Sequence, residues 1–232
     1  MSSNLKQKTI SGISWSFVDN ITNHGITFIF GIILARILTP ADFGLIGMTS
    51  VLLSLSSVFI HSGLGMALIR KKNCSQTDYS TVFYFNLIVS IIVYIILFFS
   101  AKAISLFFNE PQLKGIIKIL SLVLIIQAFS IVQINILNKR VDFKLQTKIS
   151  LMATIVSGLI GVTMAYSGYG VWSLVGKSIA SSFIAALLYW FLNKWRPSFT
   201  FSASSFKELF SFGSKLLASN LISMLFKNIY TL

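Results

Sequence analysis

The sequence predicts an all-α integral membrane protein, a polytopic helix bundle with about seven transmembrane helices. Three observations predict it. The hydrophobic fraction is 55% against 11% charged residues, with a mean hydropathy of +0.81, whereas a soluble domain carries about 25% charged residues. The apolar residues fall in long continuous runs, each near the roughly 20 residues a helix needs to cross a bilayer. They do not fall in ten-residue segments of period two, as a membrane β-barrel requires. The basic residues collect between the runs, where they read as topology determinants.

Taken in order, the runs are approximately 13–35, 44–64, 82–100, 115–137, 150–166, 171–192 and 209–231. The connections between them are too short to hold a soluble domain. Lys6 and Lys8 precede the first run, which is too long and too polar for a cleavable signal segment. Basic groups then recur on alternate connections: Arg70, Lys71 and Lys72; Lys139, Arg140, Lys144 and Lys148; Lys194, Arg196 and Lys207. The intervening connections are nearly neutral, so the N-terminus is predicted cytoplasmic. Lys114 and Lys118 are the exception, at the outer start of the fourth run.

The first run is interrupted in a regular way by Ser16, Asp19, Asn20, Asn23, His24, Thr27 and Gly31. At about 100° per residue these positions share an arc of roughly 140° on one helical face. A charge at mid-bilayer costs at least ~2.5 kcal/mol, so Asp19 predicts a polar bundle interior. The second run repeats the pattern with Ser50, Ser54, Ser57 and His61. The third offers Asn86 and Ser90, and the sixth Ser173, Lys177, Ala180 and Ser181. The fifth carries Ser150, Thr154, Ser157 and Gly161, a small-residue stripe of the kind that lets helices approach closely. Trp172, Trp190, Trp195, Tyr166, Tyr169 and Tyr189 bracket the sixth run as interfacial aromatics.

Composition also narrows function. A net charge of +13 would suggest nucleic acid in a soluble protein; here it fits anionic lipid head groups. Cys74, the single cysteine, excludes an internal disulfide, and no cysteine or histidine cluster suggests a metal or cofactor. The acids Asp19, Asp42, Asp78, Glu110, Asp142 and Glu208 are scattered along the chain. An enzyme of envelope synthesis would need clustered carboxylates for metal–phosphate or acid–base chemistry.

Four segments resemble the Wzx-type polysaccharide flippases of the multidrug/oligosaccharidyl-lipid/polysaccharide exporter superfamily. They are ARILTPADFGLIGM at 35–48, SGLGMALIRKKNCSQTDYSTVFYFN at 62–86, LNKRVDFK at 137–144 and GYGVWSLV at 168–175. The resemblance covers essentially the whole chain, but only the N-terminal half of a typical member. It implies a two-lobe fold around a central cavity, with residues 1–208 as the N-terminal six-helix lobe and 209–232 as the first helix of a truncated second lobe. Phe212-Gly213-Ser214 opens the last run much as Ser11-Gly12-Ile13 opens the first. Pro40 and Gly44 fit a tight turn, with Asp42 expected as the N-cap of the second helix.

The implied activity is alternating-access translocation of undecaprenyl-pyrophosphate-linked oligosaccharide across the bacterial cytoplasmic membrane. Lys177 is then the expected cation for the pyrophosphate, with Arg36, Asn23 and His24 as further substrate contacts. Lys114 and Lys118 lie where they could meet a phosphate at the outer mouth. Asp19 is the expected site of proton or sodium coupling. Where many relatives carry an acidic–basic pair in the first helix, Asp19 is followed by Asn20. The rival reading is a cation-coupled exporter of small molecules, which acids lining the cavity would favour.

Overall fold

The structure is a computed structural model. It describes residues 2–61 and 63–229, and side chains from Trp15 to Ser219 apart from residues 16, 18, 61, 62 and 217. The side chains of Ser16 and His61 therefore lie outside the described residues.

Among the described residues there are nine helices and no strand: α1 (Ser2–Ile37), α2 (Pro40–His61), α3 (Leu64–Arg70), α4 (Gln76–Phe107), α5 (Pro111–Leu120), α6 (Leu122–Arg140), α7 (Phe143–Tyr166), α8 (Trp172–Leu192) and α9 (Ala203–Ile229). Five stretches are long and apolar enough to cross a membrane: Pro40–Ile60, Gln76–Phe107, Pro111–Arg140, Phe143–Tyr166 and Trp172–Leu192. This is a multi-pass membrane protein. The first and seventh expected runs fall on α1 and α9, outside these five.

Capping explains why the helices outrun the apolar runs. Hydropathy locates an apolar centre, whereas the helix ends where backbone groups find other partners. Ser75 accepts from the Asp78 amide and the Asp78 carboxylate accepts from the Ser75 amide. This capping box starts α4 six residues before the expected run. The Ser202 hydroxyl accepts from the Ser205 amide at 3.2 Å, so α9 begins before the expected seventh run, which starts at residue 209.

One cap differs from expectation. The N-cap of α2 is Thr39, not Asp42. The Asp42 amide donates to Thr39 Oγ1 at 3.3 Å, and the Asp42 carboxylate returns to the Thr39 amide at 2.9 Å. Pro40 occupies the first helical position, where its missing N–H costs nothing. The expected fourth run divides at Ser121, whose hydroxyl donates back to the Lys118 carbonyl. Backbone-seeking serines bend helices in this way.

The four segments that carried the resemblance all form connections. Residues 35–48 hold the Thr39–Asp42 box. The 62–86 segment holds α3 and the α4 box, entered through Gly63 at φ 66°. In 137–144, Val141 at φ 58° ends α6 and Asp142 caps α7 by accepting from Leu145 N. In 168–175, Gly168 and Gly170 take φ 83° and 53°, which side-chain-bearing residues rarely adopt.

Helix direction follows from contacts. Going up α1, Trp15 meets Thr147, Asn23 meets Ser150, and Phe30 meets Gly158, so α1 and α7 run parallel. Gly161 meets Lys177 and Gly176 meets Met164, so α8 returns antiparallel to α7. One apolar core joins Leu45, Leu113, Ile116, Leu124 and Val175 from α2, α5, α6 and the α8 start. A second joins Leu64, Leu68, Phe83, Val132 and Leu209, gathering α3, α4, α6 and α9.

Candidate functional site: a hydroxyl-lined cavity within the lobe

The polar stripes converge on a cavity of about 630 Å³ bounded by α1, α2, the α5–α6 pair, α7 and α8. Ser50, Ser54 and Ser57 present the α2 stripe to it. Thr154 and Ser157 present the α7 stripe, and Thr27 enters from α1. Among the described residues, Lys177 of α8 is the charged group in this lining, and none of those that line it is a carboxylate.

Sequence dictates the lysine's position. Gly161 leaves space on α7, so the Lys177 stem lies against it; a Cβ on Gly161 would sit 3.0 Å from Lys177 Cβ. The side chain is half-buried, and among the described residues its ammonium has no hydrogen-bond or ion-pair partner. Lys177 lines the cavity.

The serines are oriented by their own helices. Ser50 donates to the Gly47 carbonyl at 2.7 Å, Ser54 to Val51 at 2.8 Å, and Ser57 to Ser54 at 2.7 Å. Ser178 does the same to Leu174 at 3.0 Å. With each hydroxyl proton committed to backbone, the oxygen lone pairs remain for a guest. The cavity thus offers several acceptors and one cation.

A smaller chamber of about 360 Å³ adjoins it, sharing Gln127, Thr154, Ser181 and Ser182. Ser130 and Tyr189 also line this chamber. Tyr189 was expected at the membrane interface but is buried at 7% exposure. It packs with Ile149 in the α6–α7–α8 core.

Asp19 and Asn23 come together beside this chamber. Asn23 Nδ2 donates to Asp19 Oδ1 at 2.6 Å and to Ser150 Oγ at 2.7 Å. Its Oδ1 accepts from Thr154 at 2.8 Å. Asn23 therefore bolts α1 to the small-residue stripe of α7 and orients the carboxylate. His24 and Arg36 are exposed and line neither the cavity nor the chamber. The arc of roughly 140° on α1 is thus divided, with Asp19 and Asn23 turned to α7. Gln127, Ser178 and Ser182 were missed by sequence reading, because each becomes part of a site only when three helices meet.

The polar cavity and the five apolar spans fit a membrane transport protein. The family described as polysaccharide biosynthesis protein matches residues 33–232. The chain belongs to that family. Among curated relatives, the succinoglycan biosynthesis transport protein ExoT of Rhizobium meliloti (strain 1021) is 26% identical over 216 residues, covering 92% of this chain and 44% of the relative. The lipopolysaccharide biosynthesis protein WzxC of Escherichia coli (strain K12) is 27% identical over 234 residues, covering 98% and 47%. The teichuronic acid biosynthesis protein TuaB of Bacillus subtilis (strain 168) is 24% identical over 228 residues, covering 97% and 47%. The chain spans about half the length of these relatives. No solved structure matches it.

Proposed function

We propose that this chain is one lobe of a flippase that moves undecaprenyl-pyrophosphate-linked oligosaccharide across the bacterial cytoplasmic membrane by alternating access, for polysaccharide or lipopolysaccharide biosynthesis. The observation that carries this reading is the composition of the cavity: Lys177 as its cation, hydroxyl acceptors around it, and no carboxylate among the described residues of the lining. A sugar head group brings hydroxyl donors and a pyrophosphate brings negative charge. Both lose their hydration on entering a membrane, and burying them without partners is costly. In a low-dielectric cavity the Lys177 ammonium meets phosphate more strongly than it would in water. The same acid-free lining disfavours the rival, a cation-coupled exporter of small molecules.

In this reading the N-terminus is cytoplasmic, as the basic connections suggest, and a second lobe completes the central cavity. Asp19, oriented by Asn23, is the site of proton or sodium coupling. His24 and Arg36, exposed on α1, face the substrate path between lobes. In this reading the protein moves its substrate without covalent chemistry, in keeping with a relative named for transport.

The test is complementation of a flippase-null bacterium, with the chain expressed alone and fused to the C-terminal lobe of a related flippase. Surface polysaccharide should return and lipid-linked precursor should leave the cytoplasmic leaflet. Lys177→Met in the rescuing protein should abolish both while membrane abundance and thermal midpoint hold. Full export by that variant would remove Lys177 from the site.

A further inference from the structure

The side of the lobe that holds the α2–α4 connection also holds the start of α9, and there α9 lies against α3. Gly63 and Gly213 meet backbone to backbone: a Cβ on Gly63 would sit 2.2 Å from the Gly213 carbonyl oxygen. The Arg70 guanidinium lies 4.3 Å over the Phe212 ring. Lys71 Nζ is 2.9 Å from the Glu208 carboxylate.

The attachments of α3 are of two kinds. Those to its own lobe are buried. Lys71 also pairs with Asp78 at 3.1 Å, where the carboxylate side chain is 3% exposed. Lys139 of α6 donates to the Leu68 and Lys71 carbonyls, so a cation from another helix closes the C-terminus of α3. Those to α9 are mixed: Leu209 is buried in one core with Leu64 and Leu68, while the ion pair at the rim is wet. The Glu208 side chain is 62% exposed, and a crevice of about 220 Å³ opens between Ala67, Arg70, Lys71, Glu208, Leu209 and Phe212.

This arrangement lets the exposed contacts part while the buried ones, Leu209 among them, hold. If Glu208 withdraws, Lys71 keeps Asp78, so no buried charge is stranded. An exposed ion pair contributes little to hold the seam shut, and two glycines in contact have no side chains to interlock. Phe206, tilted against Phe85 of α4 at 4.9 Å, and the buried Leu209 supply a pivot near the start of α9.

We infer that the α3–α9 seam is a latch: α3 stays bolted to the lobe while α9 swings from it, and Lys71 passes between a closed state with two carboxylates and an open state with one. The latch rests on the alternating-access reading for its purpose in transport, but its existence can be tested without transport.

The experiment places spin labels on exposed positions of the two elements, Lys72→Cys and Ser211→Cys, in a Cys74→Ser background of the chain in lipid nanodiscs. A second pair, Lys72→Cys with Arg140→Cys, reports within the lobe. Glu208→Gln should add a population in which the 72–211 distance is longer by about 5 Å, of the order of one helical turn. Gly213→Ala should do the same, because its Cβ would meet Leu64 Cδ2 and the Leu64 amide at 3.1 Å. The 72–140 distance should not move. The latch is overturned if both variants leave the 72–211 distribution unchanged, or if the 72–140 distance broadens alongside it. Either failure would leave the flippase reading standing, since complementation tests that separately.

Discussion

Gly161 and Lys177 touch across the α7–α8 interface: a Cβ added at Gly161 would lie 3.0 Å from Lys177 Cβ and 3.4 Å from its Cγ and Cδ. The glycine therefore does two things at once. It lets the helices approach, and it sets where the lysine stem can run on its way into the cavity. Gly161→Ala requires the stem to give by a few tenths of an ångström and should be nearly silent. Gly161→Val should force the helices apart, costing about 1–3 kcal/mol as overpacking does. Thermal unfolding in detergent checks the stability, and precursor export in the complementing strain checks the displaced ammonium. Equal behaviour of the two variants would contradict the contact.

Asn23 holds three partners on two helices, so its loss should be larger than its half-exposed position suggests. Asn23→Leu leaves Asp19, Ser150 and Thr154 each without one bond. Stranded polar groups of this kind cost about 1–3 kcal/mol. His24→Gln, one residue on and exposed, should stay within about 0.5 kcal/mol. Denaturant titration of both variants in the same detergent would separate them.

Lys71 lies on the connection between α3 and α4, and its pKa is raised above the usual lysine value, first by its hydrogen bond to Glu208 and then by Asp78, against the opposing effect of burial. Because the folded value is raised, the stabilisation is fully present below the unfolded lysine pKa of about 10.4 and is lost as pH rises through the higher folded value. Raising pH from 7 to 9 should therefore leave the 72–211 spin-label distance unchanged. Raising salt should lengthen it, since screening acts on the exposed Glu208 arm. A shift between pH 7 and 9 at constant salt would show that another group governs the seam.

Much of this was legible in the chain. The second to sixth runs of apolar residues placed the five spans, because crossing a bilayer demands length and hydropathy, which are local properties. The stripe Ser50, Ser54, Ser57 and the stripe Ser150, Thr154, Ser157, Gly161 were visible because a helix has a fixed period. Helix ends were less legible. Thr39 and Asp42 form a reciprocal pair, and spacing alone does not say which of the two is the cap. Run boundaries read from hydropathy missed the polar first turns of α4 and α9, because capping residues are not apolar.

By itself, then, the sequence determined the class of the protein, the order of its hydrophobic segments, and which helix faces are polar. Those follow from the free energy of moving each segment from water into lipid. Only the tertiary structure decided that Asp19 and Asn23 turn to α7, that Lys177 points into the lobe, that His24 and Arg36 line neither cavity nor chamber, and that Lys71 joins α9 to α3. The reason is physical. Periodicity fixes which residues share a face, but the rotation of each helix about its axis is set by packing against its neighbours. Gly158 under Phe30, Gly161 under Lys177, and Gly63 against Gly213 are contacts between residues far apart in the chain, and they set those rotations.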